Sequence, residues 1–97
     1  MITAIVNHYV LSERLQVADA AIKENGRVMR SYSGFVSRQT LYAQQDSLQI
    51  TTVTTWRSLE EYQGWTNRPD RPQPAPGAPT NWSKPVEATV FEVTPEL

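Results

Sequence analysis

Six of the seventeen residues from 69 to 85 are proline: Pro69, Pro72, Pro74, Pro76, Pro79 and Pro85. Proline fixes its own φ and donates no backbone hydrogen bond, so this stretch is closed to helix and to a central strand. Only one segment with regular character follows it. Residues 86 to 94, Val-Glu-Ala-Thr-Val-Phe-Glu-Val-Thr, read as a strand from their β-branched and aromatic content. A strand cannot stand alone, so this one must return to a sheet built upstream. The proline stretch is therefore a surface loop inside one domain, residues 1 to 97, rather than a linker.

Upstream, residues 2 to 10 (Ile-Thr-Ala-Ile-Val-Asn-His-Tyr-Val) read as a first strand. Ser12 is a candidate N-cap with Glu13 in the first turn. Leu11, Leu15, Ala18, Ile22, Met29 and Tyr32 recur at helical spacing, which predicts a helix over about residues 12 to 31. Gly26 weakens its last turns. Ser33-Gly34 is a turn. Residues 34 to 43 form a second strand, with Phe35, Ser37, Gln39 and Leu41 on one face. Residues 44 to 47 suit a hairpin, and residues 48 to 57 form a third, threonine-rich strand. Ser58-Leu59-Glu60-Glu61 is a capping box. The helix it opens must stop at or before Arg68, because Pro69 disfavours helical geometry in its predecessor. The order is β-α-β-β-α-β. It predicts a ferredoxin-like α+β fold, a four-stranded antiparallel sheet with two helices on one face.

Composition narrows the functions. Net charge is −1, with 9 basic and 10 acidic residues. That balance argues against nucleic acid as a partner. With no cysteine, zinc-thiolate sites and cysteine nucleophiles are excluded. No metal cluster, phosphate loop or catalytic triad is legible, so no metal site and no cofactor are expected. The N-terminus lacks a basic signal-peptide region, and no apolar run approaches the ~20 residues that span a bilayer. The expected setting is cytoplasmic.

In this order of elements, Gly34-Phe35 entering the second strand and the run Thr55-Trp56-Arg57-Ser58-Leu59-Glu60-Glu61-Tyr62 resemble the antibiotic biosynthesis monooxygenase family of dimeric α+β barrels. The resemblance covers the chain except residues 69 to 85. It implies a homodimer and a small aromatic or hydrophobic ligand. One branch of that family oxidises aromatic polyketides with dioxygen and no metal or flavin; another degrades haem; other members have no known activity. The resemblance implies pocket roles for Asn7 on the first strand and Trp65 near the end of the second helix. The haem branch's histidine ligand has no match.

Each candidate carries a plain alternative. Asn7 is a donor for substrate oxygen or dioxygen, or a side chain bonded to a neighbouring strand. Trp65 is a stacking wall or core. Tyr9 and Tyr62 are candidate substrate-binding aromatics, and Trp82 is either a lid residue or the staple of the proline loop. Trp56 reads as structural. Strand alternation separates Thr3, Ile5, Asn7 and Tyr9 from Ile2, Ala4, Val6, His8 and Val10. The resemblance turns Asn7 toward the helices and leaves His8, with Ile2, Ala4, Val6 and Val10, at a subunit interface. The expected function is a cofactor-independent monooxygenase for a flat aromatic substrate. A non-enzymatic ligand-binding barrel and a haem-binding or haem-degrading protein are the alternatives.

Overall fold

The computed structural model describes residues 1–71 and 76–96. Pro72 and Pro74, part of the predicted proline loop, lie outside the described residues. The strands are β1 (Ile2–Tyr9), β2 (Phe35–Tyr42), β3 (Gln49–Trp56) and β4 (Glu87–Glu92), and the helices are α1 (Leu15–Met29) and α2 (Leu59–Thr66). One antiparallel sheet has the order β2-β3-β1-β4. The predicted element order and fold class hold. Among the described residues no helix is long and apolar enough to cross a membrane.

The two helix starts differ. At α2 the capping box closes: Glu61 N–H donates to Ser58 Oγ at 3.1 Å, and Ser58 and Ser33 hydroxyls reach the Glu61 carboxylate at 3.1 and 2.7 Å. At α1, Ser12 makes no cap. Its hydroxyl donates to Glu13, a single 3₁₀ turn occupies Ser12–Arg14, and the α-helix begins at Leu15.

Which face of the sheet the helices cover is fixed by packing. Ile2 and Trp56, paired across β1 and β3, join Met29 of α1 and Trp65 of α2 in one core cluster. Val10 and Ile50 join Ala18 and Ile22 of α1 in a second. The covered side of β1 therefore carries Ile2, Ala4, Val6, His8 and Val10. This reverses the predicted orientation: Asn7 faces away from the helices and His8 faces toward them. The more apolar set takes the buried side because its transfer from water contributes most, on the order of 25 cal/mol per Å².

A second difference lies in β2. Phe35 pairs with Trp56 and Ser37 with Thr55, so a bulge at Val36 shifts the register. Phe35 lies on the helix side, edge-on to Trp56 with centroids 5.7 Å apart. Ser37, Gln39 and Leu41 lie on the other side. One extra residue flips every later side chain.

The uncovered face holds Thr3, Ile5, Asn7 and Tyr9 of β1. Thr51, Val53 and Thr55 of β3 lie beside them, as do Thr89 and Phe91 of β4. Its polar groups are tied across strands: Thr3 and Thr55 hydroxyls lie 3.0 Å apart, and Thr51 Oγ1 donates to Asn7 Oδ1 at 2.7 Å.

The end of the proline stretch pairs with the edge of β1 that β4 also uses. Leu11 N–H donates to the Asn81 carbonyl and Ser83 N–H to the Tyr9 carbonyl, and Val10 bridges Trp82. Trp82 packs on the cluster of Val10, Ala18, Ile22 and Ile50, the staple reading of this residue.

Candidate functional site

The sequence-predicted residues separate into three places. Asn7 and Tyr9 lie on the uncovered face. Trp65 and Tyr62 lie on α2, over the far end of the helix side. Trp82 lies on the helix side at the other end, with centroids 5.1 Å from His8. Asn7 and Trp65 do not share a cavity within one chain.

Trp65 is closed. It is 7% exposed; the Arg68 guanidinium sits 3.6 Å from its ring centroid, and Tyr32 meets it edge-on at 4.9 Å. Arg68 also donates to the Trp65 carbonyl, which holds it over the ring. Tyr62 is half-buried against Trp56 at 5.8 Å. Desolvation pushes its phenol pKa up, and the Arg71 charge partly opposes this. Tyr9 donates to Glu87 at 2.6 Å, and Lys84 Nζ lies 3.9 Å over its ring. The hydrogen bond to Glu87 is the main cause holding that phenol's pKa up, with smaller contributions from burial and the same carboxylate's charge. Tyr9 also lines a cleft of about 440 Å³ with Ser12, Asp46, Leu48 and Lys84, a mixed polar surface without an opposing ring.

An exposed apolar surface lies elsewhere on the helix side. Ala88 and Val90 of β4 pair with Val6 and Ala4, so all four face the helices. Yet Ala4 is fully buried, while Val90 is 41% exposed and Ala88 is also exposed. Helix cover ends at β1 and leaves an apolar strip of Val6, Ala88 and Val90. His8 follows Val6 on this face, about 7 Å further along the strand, with Trp82 against its ring.

His8 is chemically prepared. Its Nδ1 lies 3.0 Å from the Ile50 carbonyl oxygen. A carbonyl only accepts, so Nδ1 carries the hydrogen and Nε2 keeps its lone pair. Burial lowers the imidazole pKa, the Ile50 hydrogen bond opposes that, and the Arg38 charge lowers it further. The net effect favours the neutral ring. Sequence reading placed His8 at an interface because the resemblance assigned Asn7 to the pocket; the greater apolarity of its neighbours Ile2, Ala4, Val6 and Val10 was the signal that placed it correctly.

No protein-family model matches the sequence, and no curated protein matches it. Solved structures do match in fold. An antibiotic biosynthesis monooxygenase superimposes with a TM-score of 0.82 at 10% identity, covering 98% of this chain and 100% of that one. SnoaB, a cofactor-independent oxygenase from Streptomyces nogalater, gives 0.79 at 12%, covering 99% and 95%. MhuD, a heme-degrader from Mycobacterium tuberculosis with two hemes bound in its active site, gives 0.73 at 20%, covering 100% and 99%. The chain has the fold of the antibiotic biosynthesis monooxygenases.

Proposed function

We propose that the protein is a cofactor-independent oxygenase for a small aromatic substrate, working as a homodimer. The observation that carries this reading is a half-buried His8 whose Nδ1 donates to the Ile50 carbonyl, on the same face of β1 as Val6 and beside the exposed Ala88 and Val90 of β4. The fold likeness to a cofactor-independent oxygenase supports it.

An electron-rich phenol or anthrone lying on the strip would give a proton to His8 Nε2. The imidazolium formed is stabilised by the Ile50 carbonyl at Nδ1. The resulting carbanion or phenolate supplies electrons to dioxygen; one oxygen atom enters the substrate and the other leaves as water. The protein's task is to hold the ring, exclude water and take the proton. Asn7 belongs to the β1–β3 contact in this scheme, and Trp65 to the core.

The homodimer reading rests on the uncovered face. Ile5, Val53 and Phe91 lie among threonines and Asn7, whose hydrogen bonds are made largely across strands, so a second sheet could cover them at small polar cost. β4 is exposed on both faces and at its edge, a surface that soluble sheets rarely leave open.

Oxygen uptake on a panel of anthrones and hydroquinones, without added metal or flavin, tests the activity. Uptake above the buffer rate that falls at least tenfold in His8→Gln supports it; general bases contribute about 10²-fold or more. Uptake equal to the blank, with saturable ligand binding, favours the ligand-binding reading. That alternative has its own support in the separation of Asn7 from Trp65.

A further inference from the structure

Between α1 and β2 is a cleft of about 470 Å³, lined by Lys23, Gly26, Arg27, Arg30, Arg38 and Thr40. Four of the chain's nine basic residues meet there, in a protein of net charge −1. Two are neutralised on the helix surface: Lys23 by Asp19 at 2.8 Å and Arg27 by Glu24 at 2.6 Å. Arg30 and Arg38 have no carboxylate partner among the described residues.

Arg38 is the unusual member. It projects from β2 under α1 and is half-buried. Its Nη2 donates to the Ile22 carbonyl at 2.8 Å, and Nη1 approaches Met29 Sδ at 3.7 Å. A guanidinium has five N–H donors, and these contacts leave part of the fork without a strong acceptor. Burial and the neighbouring Arg30 charge both disfavour its charged form.

Gly26 makes room for it. A Cβ at residue 26 would lie 2.6 Å from Arg38 Nε and 3.0 Å from Cδ. The helix carries a glycine on its buried stripe, at a position where alanine would favour the helix. Its absence of side chain keeps the guanidinium beneath α1, facing Arg30 and Thr40. A fold that needed only stability would place an apolar side chain here. A half-buried fork with a second free arginine and a hydroxyl beside it matches a tetrahedral oxyanion.

We propose that this cleft binds a phosphate group, held by the Arg38 and Arg30 guanidinium groups with Thr40 Oγ1 as a further donor. The group is either the free ion or the terminus of a small phosphate monoester. The site is separate from the strip beside His8 and does not depend on the oxygenase reading.

Calorimetric titration at constant ionic strength, with inorganic phosphate, phenyl phosphate and succinate as probes, tests it. Saturable millimolar binding of phosphate is expected. Arg30→Gln and Arg38→Gln should each weaken it by about tenfold or more, as for loss of a charge-assisted hydrogen bond. Arg57→Gln, an exposed arginine outside the cleft, should leave it unchanged. Phenyl phosphate binding more tightly than phosphate assigns a monoester, and equal binding assigns the free ion; both sustain the site. No saturable binding of either phosphate, succinate binding as tightly as phosphate, or wild-type affinity in Arg30→Gln would overturn it. Arg30 is exposed and its replacement leaves the core intact, so this variant decides the matter even if Arg38→Gln fails to fold.

Discussion

Replacing Gly34 by alanine tests how the turn before β2 and the cap of α2 depend on each other. Gly34 has φ +85°, where an alanine costs about 1–2 kcal/mol. A Cβ there would lie 2.5 Å from Glu61 Cβ, Cδ and Oε2, closer than real atoms approach. Glu61 would have to move, and its carboxylate would lose the Ser33 and Ser58 hydroxyls that hold the capping box. Loss of a cap costs about 1 kcal/mol, and forced repacking roughly another 1 to 3. Alanine's smaller unfolded-state entropy returns about 0.5 kcal/mol. The expected net loss is about 4 kcal/mol, or roughly 16–32 °C in Tm for a domain of this size. Urea unfolding followed by tryptophan fluorescence measures it, since Trp56 and Trp65 are buried. The midpoint should fall with the slope unchanged. Gly64→Ala is the comparison: nothing lies within 4 Å of a Cβ there, so the helix should gain about 0.5–1 kcal/mol. A Gly34→Ala midpoint within experimental error of wild type would refute the steric reasoning.

Other perturbations give separate outcomes. His8 has its folded pKa below its unfolded value of 6.5, so the unfolded chain binds the proton more readily. Its contribution is whole above pH 6.5 and is lost as pH falls below 6.5 toward the folded pKa; thermal melts from pH 8 to 5 should show this, and His8→Gln should flatten the decline. Trp65→Ala should destabilise by about 3–5 kcal/mol, as for a fully packed ring, without abolishing phosphate binding at Arg38. Asn7→Ala should leave any oxygenase rate within about threefold of wild type while loosening the β1–β3 contact by about 1 kcal/mol; a loss of rate at unchanged stability would restore Asn7 to the site. Sedimentation at micromolar concentration should show a dimer that Phe91→Lys, on the uncovered face, dissociates; a wild-type monomer would end the homodimer reading.

Local signals determined much of this protein. The Ser58–Glu61 capping box, the threonine-rich third strand and the proline stop fixed α2 and β3 within a residue or two, because caps and propensities act over a few bonds. The same order of elements yielded the ferredoxin-like sheet. Period-2 alternation also divided β1 correctly into two sets of side chains. The greater apolarity of Ile2, Ala4, Val6 and Val10 favours that set for the helix side, but with Ile5 on the other set and a second sheet able to cover either face, the packing of Ile2 beneath α1 and α2 was needed to decide it. That single choice moved His8 to the helix side and Asn7 to the open face. The bulge at Val36 and the Arg68 guanidinium over Trp65 were likewise set by neighbours distant in the chain. Gly26 is the clearest case: along the sequence it is a weak point in a helix, while in the folded chain it is the space that Arg38, twelve residues later and on a strand, requires.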